Sequence, residues 1–107
     1  NLSNLILYKK NISYGKLPTV FGKEAETFFL NFFEKLTNSN FPKQLVKNYY
    51  YFQIDRWDLQ LTNNQIIKFP NKKIDNAIIK SIDLLEREDF KNYKIIDLRV
   101  DGKIIVE

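Results

Sequence analysis

The sequence predicts an α+β fold, in which a mixed, mostly antiparallel sheet has two helices packed on one face and a C-terminal β-hairpin at its edge. Two segments repeat apolar residues with the period of a helix, and several shorter segments alternate apolar and polar residues as strands do. Asp101–Gly102 is the strongest hairpin-turn signal in the chain. The length of 107 residues suits one domain with a hydrophobic core, so residues 1–107 are expected to form a single domain.

The first half of the chain is expected to hold a strand near residues 4–9, a helix that begins near residue 23, and a β segment over residues 48–61. Gly22 precedes two glutamates that suit the positive end of a helix. The β segment is either one long strand or two strands joined by a kink near Asp55, and its Trp57 is expected to pack under a helix. The apolar stripe of the helix consists of Ala25, Phe28, Phe29, Phe32 and Leu36.

The second half is expected to begin with a turn at Asn63–Asn64 into a strand over residues 65–69. A second helix follows, with Asn71 as its N-cap and its end near Glu88. Residues 94–100 and 103–107 then form the hairpin around Asp101–Gly102. The core face of the second helix consists of Ile74, Ile78, Ile82 and Leu85. No internal repeat is visible in the sequence.

Composition excludes several classes of functional site. The chain contains no cysteine and no histidine, which removes thiolate nucleophiles, imidazole acid–base catalysis and the common zinc and iron–sulfur sites. Its 3 glycines stand apart from one another, so there is no Gly-rich phosphate loop. We therefore expect no enzyme activity, no cofactor, no metal and no small-molecule substrate. Because the chain begins with Asn1 and has no methionine, we also expect it to be part of a longer protein.

Carboxylates near predicted strand ends are the remaining candidates for acid–base chemistry. Nothing in their spacing directs them at one another. Asp55 beside Arg56, and Asp97 two residues before Arg99, instead favour charge pairs between strands. The candidate carboxylates are Asp55, Asp58, Asp97 and Asp101.

The C-terminal hairpin is the strongest candidate for a binding site. A two-residue turn would pair Asp97 with Val106 and would place Ile105 on the core face. Ile104 and Val106 would then share the opposite face with Asp97 and Arg99, so both faces of the last strand would be apolar. Two explanations remain open: residues outside this chain cover that surface, or the strand is a sheet edge that binds a strand of another chain.

A basic charge balance raises nucleic-acid binding as an alternative. The chain has 17 Lys and Arg against 13 Asp and Glu, a net charge of +4, but its lysines are dispersed from Lys9 to Lys103. The predicted element order overlaps that of RNA-recognition domains, which stack bases on sheet aromatics. Because the glycine-containing aromatic motif of those domains is missing, we expect no nucleic-acid partner. An RNA-binding ferredoxin-like domain using sheet aromatics and dispersed lysines is kept as the alternative function.

Four short motifs follow one another in the chain from about residue 17 onward. They are Leu17-Pro18-Thr19-Val20-Phe21-Gly22, Arg56-Trp57-Asp58-Leu59-Gln60-Leu61, Ile67-Lys68-Phe69-Pro70 and Ile96-Asp97-Leu98-Arg99-Val100. In this order the chain resembles the extracytoplasmic C-terminal β domain of the FtsQ/DivIB bacterial cell-division family, in its alphaproteobacterial branch. It departs from the family at Asp55, where a second arginine is frequent, at Asn63–Asn64, which replaces Asn-Gly, and at Phe69, which replaces leucine.

The resemblance implies a non-catalytic divisome scaffold on the periplasmic face of the bacterial inner membrane at the division site. In that family a membrane helix and a POTRA module precede this domain, so the membrane contact lies outside this chain. The resemblance further implies that the domain recruits FtsB/FtsL-like partners by strand addition at its last strand during septum formation, with an arginine contacting partner acids. The implied partner-binding residues are Arg99, Val100, Lys103, Ile104, Ile105 and Val106.

Overall fold

Residues 18–107 are the part of the chain that the computed structural model describes, and they form six strands and two helices. The predicted α+β class is confirmed, while the strand predicted near residues 4–9 lies outside the described residues. Short 3₁₀ turns lie at Lys43–Leu45 and Glu88–Phe90. The elements are β1 (Thr19–Phe21), α1 (Ala25–Asn38), β2 (Val46–Phe52), β3 (Arg56–Leu61), β4 (Ile66–Lys68), α2 (Ile74–Leu85), β5 (Ile95–Asp97) and β6 (Ile105–Val106).

The sheet follows the order of the chain, β1-β2-β3-β4-β5-β6. The β1–β2 and β4–β5 pairs are parallel, and the other pairs are antiparallel. The described residues therefore repeat one unit twice, β-α-β-β, although the sequence shows no repeat. Both helical crossovers join parallel neighbours and advance along the sheet in the same direction, so crossovers of the usual right hand place both helices on the same face.

The core lies between this helical face and the alternate residues of the strands. Phe32 of α1 stacks on Trp57 of β3 with ring centroids 5.0 Å apart and planes 4° apart. Phe29 meets the ring of Tyr49 edge-on at 5.0 Å, and Ile78 contributes a fully buried side chain from α2. The prediction that Trp57 packs under a helix is confirmed, and aromatic stacking adds to the burial of these large side chains.

Helix α1 turns a slightly different face to the sheet than the sequence predicts. Ala25, Phe29, Phe32 and Leu36 are buried as expected, but Phe28 is 37% exposed. Its ring lies at the border of the core, stacked on Tyr51 at 5.1 Å. Two adjacent phenylalanines on a helix are about 100° apart, so only one of them can face the centre of the sheet.

Helix α2 is shorter than predicted at both ends. It begins at Ile74, because Lys73 has a left-handed φ of 54° that is incompatible with a helix, so Asn71 is not its N-cap. It ends at Leu85 rather than near Glu88. Its buried residues are Ala77, Ile78, Ser81 and Leu84, whereas Ile74, Ile82 and Leu85 are half-buried. Within residues 18–107, neither helix has the length and hydropathy that a membrane-crossing segment needs.

The segment 48–61 forms neither one long strand nor a kinked pair. Strands β2 and β3 are antiparallel neighbours that reverse tightly at Asp55, whose φ is 58°. The turn predicted at Asn63–Asn64 is confirmed, since Asn64 has a φ of 73° and joins two antiparallel strands. Aspartate and asparagine adopt this left-handed conformation at a lower cost than most other residues.

Strand β1 is a short element between Pro18 and Gly22. It pairs in parallel with Asn48–Tyr50 of β2. Gly22 follows it with a φ of 124°, and a Cβ atom at this position would lie 2.3 Å from the carbonyl oxygen of Tyr51. Any side chain here would therefore collide with the backbone of β2, so the glycine allows the chain to leave β1 and enter α1.

Phe32→Ala should lower the free energy of unfolding by about 3–5 kcal/mol, because it removes a buried ring that stacks on Trp57. Phe28→Ala removes the same atoms from a partly exposed position and should cost about 1–2 kcal/mol. Urea unfolding of the two variants measures the difference. Equal losses would show that α1 does not turn the Phe32 face toward the sheet.

Candidate functional site at the C-terminal edge

Strand β6 is the last strand of the sheet that residues 18–107 form, which places the predicted hairpin at an edge. Its register differs by one residue from the predicted one. Ile96 pairs with Val106 and Asp97 pairs with Ile105, whereas the sequence predicts Asp97 opposite Val106. A shift of one residue exchanges the two faces of a strand, so the predicted face assignment of Ile105 and Val106 is wrong.

The turn conformation explains this shift. The N–H of Lys103 donates to the carbonyl of Val100 at 3.0 Å, so Asp101–Gly102 occupies the centre of the turn as predicted. Gly102 has a φ of 76°, but Asp101 keeps a negative φ. The two-residue turns that continue a tight ladder, types I′ and II′, both need positive φ at the first central residue, which is Asp101 here. The two strands therefore separate at the turn and pair only from Asp97 and Ile105 onward.

The shifted register redistributes the apolar side chains of the edge. Val106 lies opposite Ile96 and packs against the core. Ile105 lies opposite Asp97 on the other side of the sheet and is 44% exposed. Ile104 precedes the strand and is also exposed. The edge therefore presents Ile104 and Ile105 to solvent while Val106 anchors it to the core.

The backbone of β6 presents some of its polar groups away from the sheet. Glu107 donates to the carbonyl of Ile95 at 3.0 Å and accepts from the N–H of Ile95 at 3.3 Å. In an antiparallel pair such residues alternate with residues whose N–H and C=O groups point the other way. The N–H and C=O groups of Val106 and Ile104 therefore point away from β5, toward the position of a further strand.

Arg99 lies beside this edge and is held by Asp97 of its own segment. Its Nε donates to Asp97 Oδ1 at 2.9 Å and its Nη2 donates to Oδ2 at 2.7 Å, a bidentate pair. The backbone N–H of Arg99 donates to the same Oδ1 at 2.9 Å. These hydrogen bonds from Arg99 lower the pKa of the Asp97 carboxyl. The expected pair between strands is thus a local pair at the end of β5.

A row of charged side chains crosses the face of the sheet opposite the helices, which we call the open face. Asp58 of β3 lies opposite Lys68 of β4, and Lys68 lies opposite Asp97 of β5. Burial raises the pKa of Asp58, opposed by the charges of Arg56, Lys68 and Arg99. Arg56 Nε is 3.5 Å from Asp58 Oδ1, so Arg56 pairs with Asp58 rather than with Asp55 as the sequence indicates.

The predicted binding residues lie on two connected surfaces. Ile104, Ile105 and Val106 belong to the edge itself. Arg99, Val100 and Lys103 line a groove between the turn and the start of α2. Sequence reasoning missed the α2 side of this groove, because only folding brings it next to a turn about 25 residues later in the chain. The residues on that side are Pro70, Asn71, Lys72, Lys73, Asn76, Ala77 and Lys80.

The chain is similar to proteins named Cell division protein FtsQ, while no family model matches it. It is 26% identical over 96 residues to the one from Rhizobium radiobacter, a match covering 88% of this chain and 46% of the relative. It is 40% identical over 55 residues to that from Rickettsia conorii, covering 49% of this chain and 20% of the relative. These relatives confirm the resemblance that the four motifs indicate. The chain spans less than half the length of the curated relatives it matches.

Arg99→Gln should destabilise the protein by about 1 kcal/mol at pH 7, because it removes a charge-assisted pair that is partly exposed to solvent. Asp97 has a lowered pKa in the folded state, so its contribution to stability is present above the unfolded pKa of about 3.9 and is lost as the pH falls through the folded value. The difference between wild type and variant should therefore shrink below about pH 4. Urea unfolding at several pH values measures it, and a difference independent of pH would contradict the role of this pair.

Proposed function

From its similarity to FtsQ cell-division proteins, we propose that this chain is a non-catalytic scaffold domain of the bacterial divisome. It recruits FtsB/FtsL-like partners during septum formation, and a strand of the partner adds to β6. The observation that carries this proposal is the backbone of the C-terminal edge, where Val106 of β6 and Ile104 just before the strand direct N–H and C=O groups away from the sheet. The domain acts on the periplasmic face of the inner membrane at the division site, anchored through a segment outside the described residues.

The composition of the edge supports strand addition. Natural edge strands usually carry charged residues, prolines or bulges that prevent another chain from pairing with them. The stretch Ile104–Ile105–Val106 contains no charged residue and no proline that would prevent such pairing. A partner strand would complete the ladder with main-chain hydrogen bonds and would cover the exposed side chains of Ile104 and Ile105.

Side chains around the edge then set the choice of partner. A strand beside β6 places every second side chain on the open face, next to Ile105 and the Asp97–Arg99 pair. Asp97 uses two of the five N–H donors of Arg99, which leaves the others for a partner carboxylate. Arg99 therefore favours an acidic partner side chain while it remains held by Asp97.

The open face is a poor surface for RNA, the alternative class of partner. It does carry exposed aromatics, because Phe21 stacks on Tyr50 with centroids 5.2 Å apart at the opposite edge of the sheet. The middle strands of that face, however, place Asp58, Gln60, Lys68 and Asp97 there rather than aromatic side chains. An RNA-recognition sheet stacks its bases on aromatic side chains of its strands, so this part of the face offers no such stacking surface.

Ile104→Pro should reduce the affinity for an FtsB-like partner by at least about tenfold, because proline removes an outward N–H and obstructs pairing. Ile104→Ala is the matched control, since it keeps the N–H and should weaken binding only a few-fold. Affinity of the purified partner can be measured by calorimetry, with melting temperatures of all variants as a check on folding. Val106→Pro tests the second outward N–H, with Val106→Ala as its control for the loss of packing.

Wild-type affinity in folded Ile104→Pro and Val106→Pro variants would show that the partner binds elsewhere, and the Tyr49–Leu61 region would be the next place to search. Ile105→Pro is not a suitable variant, because the pairing pattern directs the N–H of Ile105 toward Asp97 and its loss would open the β5–β6 ladder.

Filter binding to single-stranded RNA tests the alternative function, an RNA-binding domain. Submicromolar RNA affinity that survives 200 mM salt would replace the scaffold proposal.

A further inference from the structure

A groove of about 280 Å³ lies next to the edge strand, between the start of α2 and the Val100–Lys103 turn. One wall is formed by residues just before α2 and on its first two turns, and the other by the end of the β5 segment and the turn. An ion pair between Lys73 Nζ and Asp101 Oδ2, at 3.0 Å, connects the two walls. The turn that sets the register of β6 therefore contacts the residue that precedes α2 at this groove.

The charge of the groove is strongly one-sided. Asp101 is the one acidic residue among those that line it, and Lys73 already pairs with it. The hydrogen bond from Lys73, followed by its charge, lowers the pKa of the Asp101 carboxyl, so this acid is ionised at neutral pH. Arg99 is held by Asp97. The cations that line the groove are Lys72, Lys73, Lys80, Arg99 and Lys103.

Three of these cations have no carboxylate within ion-pair distance among residues 18–107, namely Lys72, Lys80 and Lys103. Between them the groove exposes apolar surface, since Ala77, Leu98 and Val100 also line it and Val100 is 46% exposed. An apolar floor with a basic rim complements a segment that carries both an apolar side chain and carboxylates.

We infer that this groove binds an acidic segment of the same partner that adds its strand to β6. The inference rests on the proposed function and extends it by naming the chemistry of a second contact. Lys72 and Lys80 attract carboxylates of the segment, and Val100 contacts an apolar side chain beside them. The partner should accordingly carry acidic residues directly next to the stretch that forms its β-strand.

The continuity of the two surfaces supports a single partner. Lys103 belongs to the groove and is followed immediately by Ile104, the first residue of the exposed edge. A strand advances about 3.3 Å per residue. A partner chain paired along residues 104–107 therefore reaches the groove within about two residues of passing Lys103.

The double variant Lys72→Ala/Lys80→Ala tests this inference without touching the edge strand. It should weaken binding of a purified FtsB-like partner protein by about tenfold in 50 mM salt, and the loss should be smaller in 300 mM salt because the contact is electrostatic. Lys23→Ala/Lys47→Ala is the matched control, since both lysines are exposed, lie outside the groove and remove the same net charge. It should bind within about twofold of wild type.

The outcomes separate this inference from the proposed function. Wild-type affinity in the groove variant, with binding lost in Ile104→Pro, would contradict the inference that the groove binds the partner and would leave strand addition at the edge supported. Equal losses in the groove variant and the control would show a general effect of net charge and would also contradict that inference. A partner that binds neither the wild type nor any variant would end both proposals. Binding of wild type, but not of the groove variant, to vesicles containing phosphatidylglycerol, with no effect on the partner, would assign the groove to lipid.

Discussion

The φ angle of Asp101 determines what the C-terminal edge of this protein presents. Asp101 has a negative φ while Gly102 is left-handed, so the turn does not continue a tight ladder. As a result β5 and β6 pair one residue away from the register that a two-residue turn would give. Val106 then packs into the core and Ile105 faces outward. An exposed ion pair joins Asp101 of this turn to Lys73, the residue before α2, so the turn that sets the edge also forms one wall of the groove.

The repeated β-α-β-β unit explains why the edge lies where it does. In the first unit the outer side of β3 is covered by β4, the first strand of the second unit. Strand β6 is the equivalent strand of the second unit, and it ends the sheet that the described residues form. Among residues 18–107 no strand fills the equivalent position beside β6, and this is the position that a partner strand would take under the proposed function.

Charges on the open face connect this edge to the centre of the sheet. Asp97 and Asp58 belong to the same row across the sheet, but their environments act in opposite directions on their pKa values. Hydrogen bonds from Arg99 lower that of Asp97, whereas burial raises that of Asp58. The charged form of Asp97 therefore stabilises the folded state. The charged form of Asp58 instead has a desolvation cost that the charges of Arg56 and Lys68 only partly offset.

The sequence by itself determined the fold class, both helices, the position of every turn residue in the last hairpin, and the edge at the C-terminus. These follow from local periodicity and from residues such as Gly102, whose backbone preferences act within a few positions. Tertiary structure alone decided that Phe28 lies at the border while Phe32 lies at the centre, that Val106 rather than Ile105 enters the core, and that Lys72 and Lys80 face the last turn. The burial of Phe28 and the position of Lys72 and Lys80 depend on contacts between segments far apart in the chain, and the choice between Val106 and Ile105 depends on the backbone conformation at Asp101. In each case a rotation or shift of one residue leaves the sequence pattern unchanged and reverses which side chains are covered.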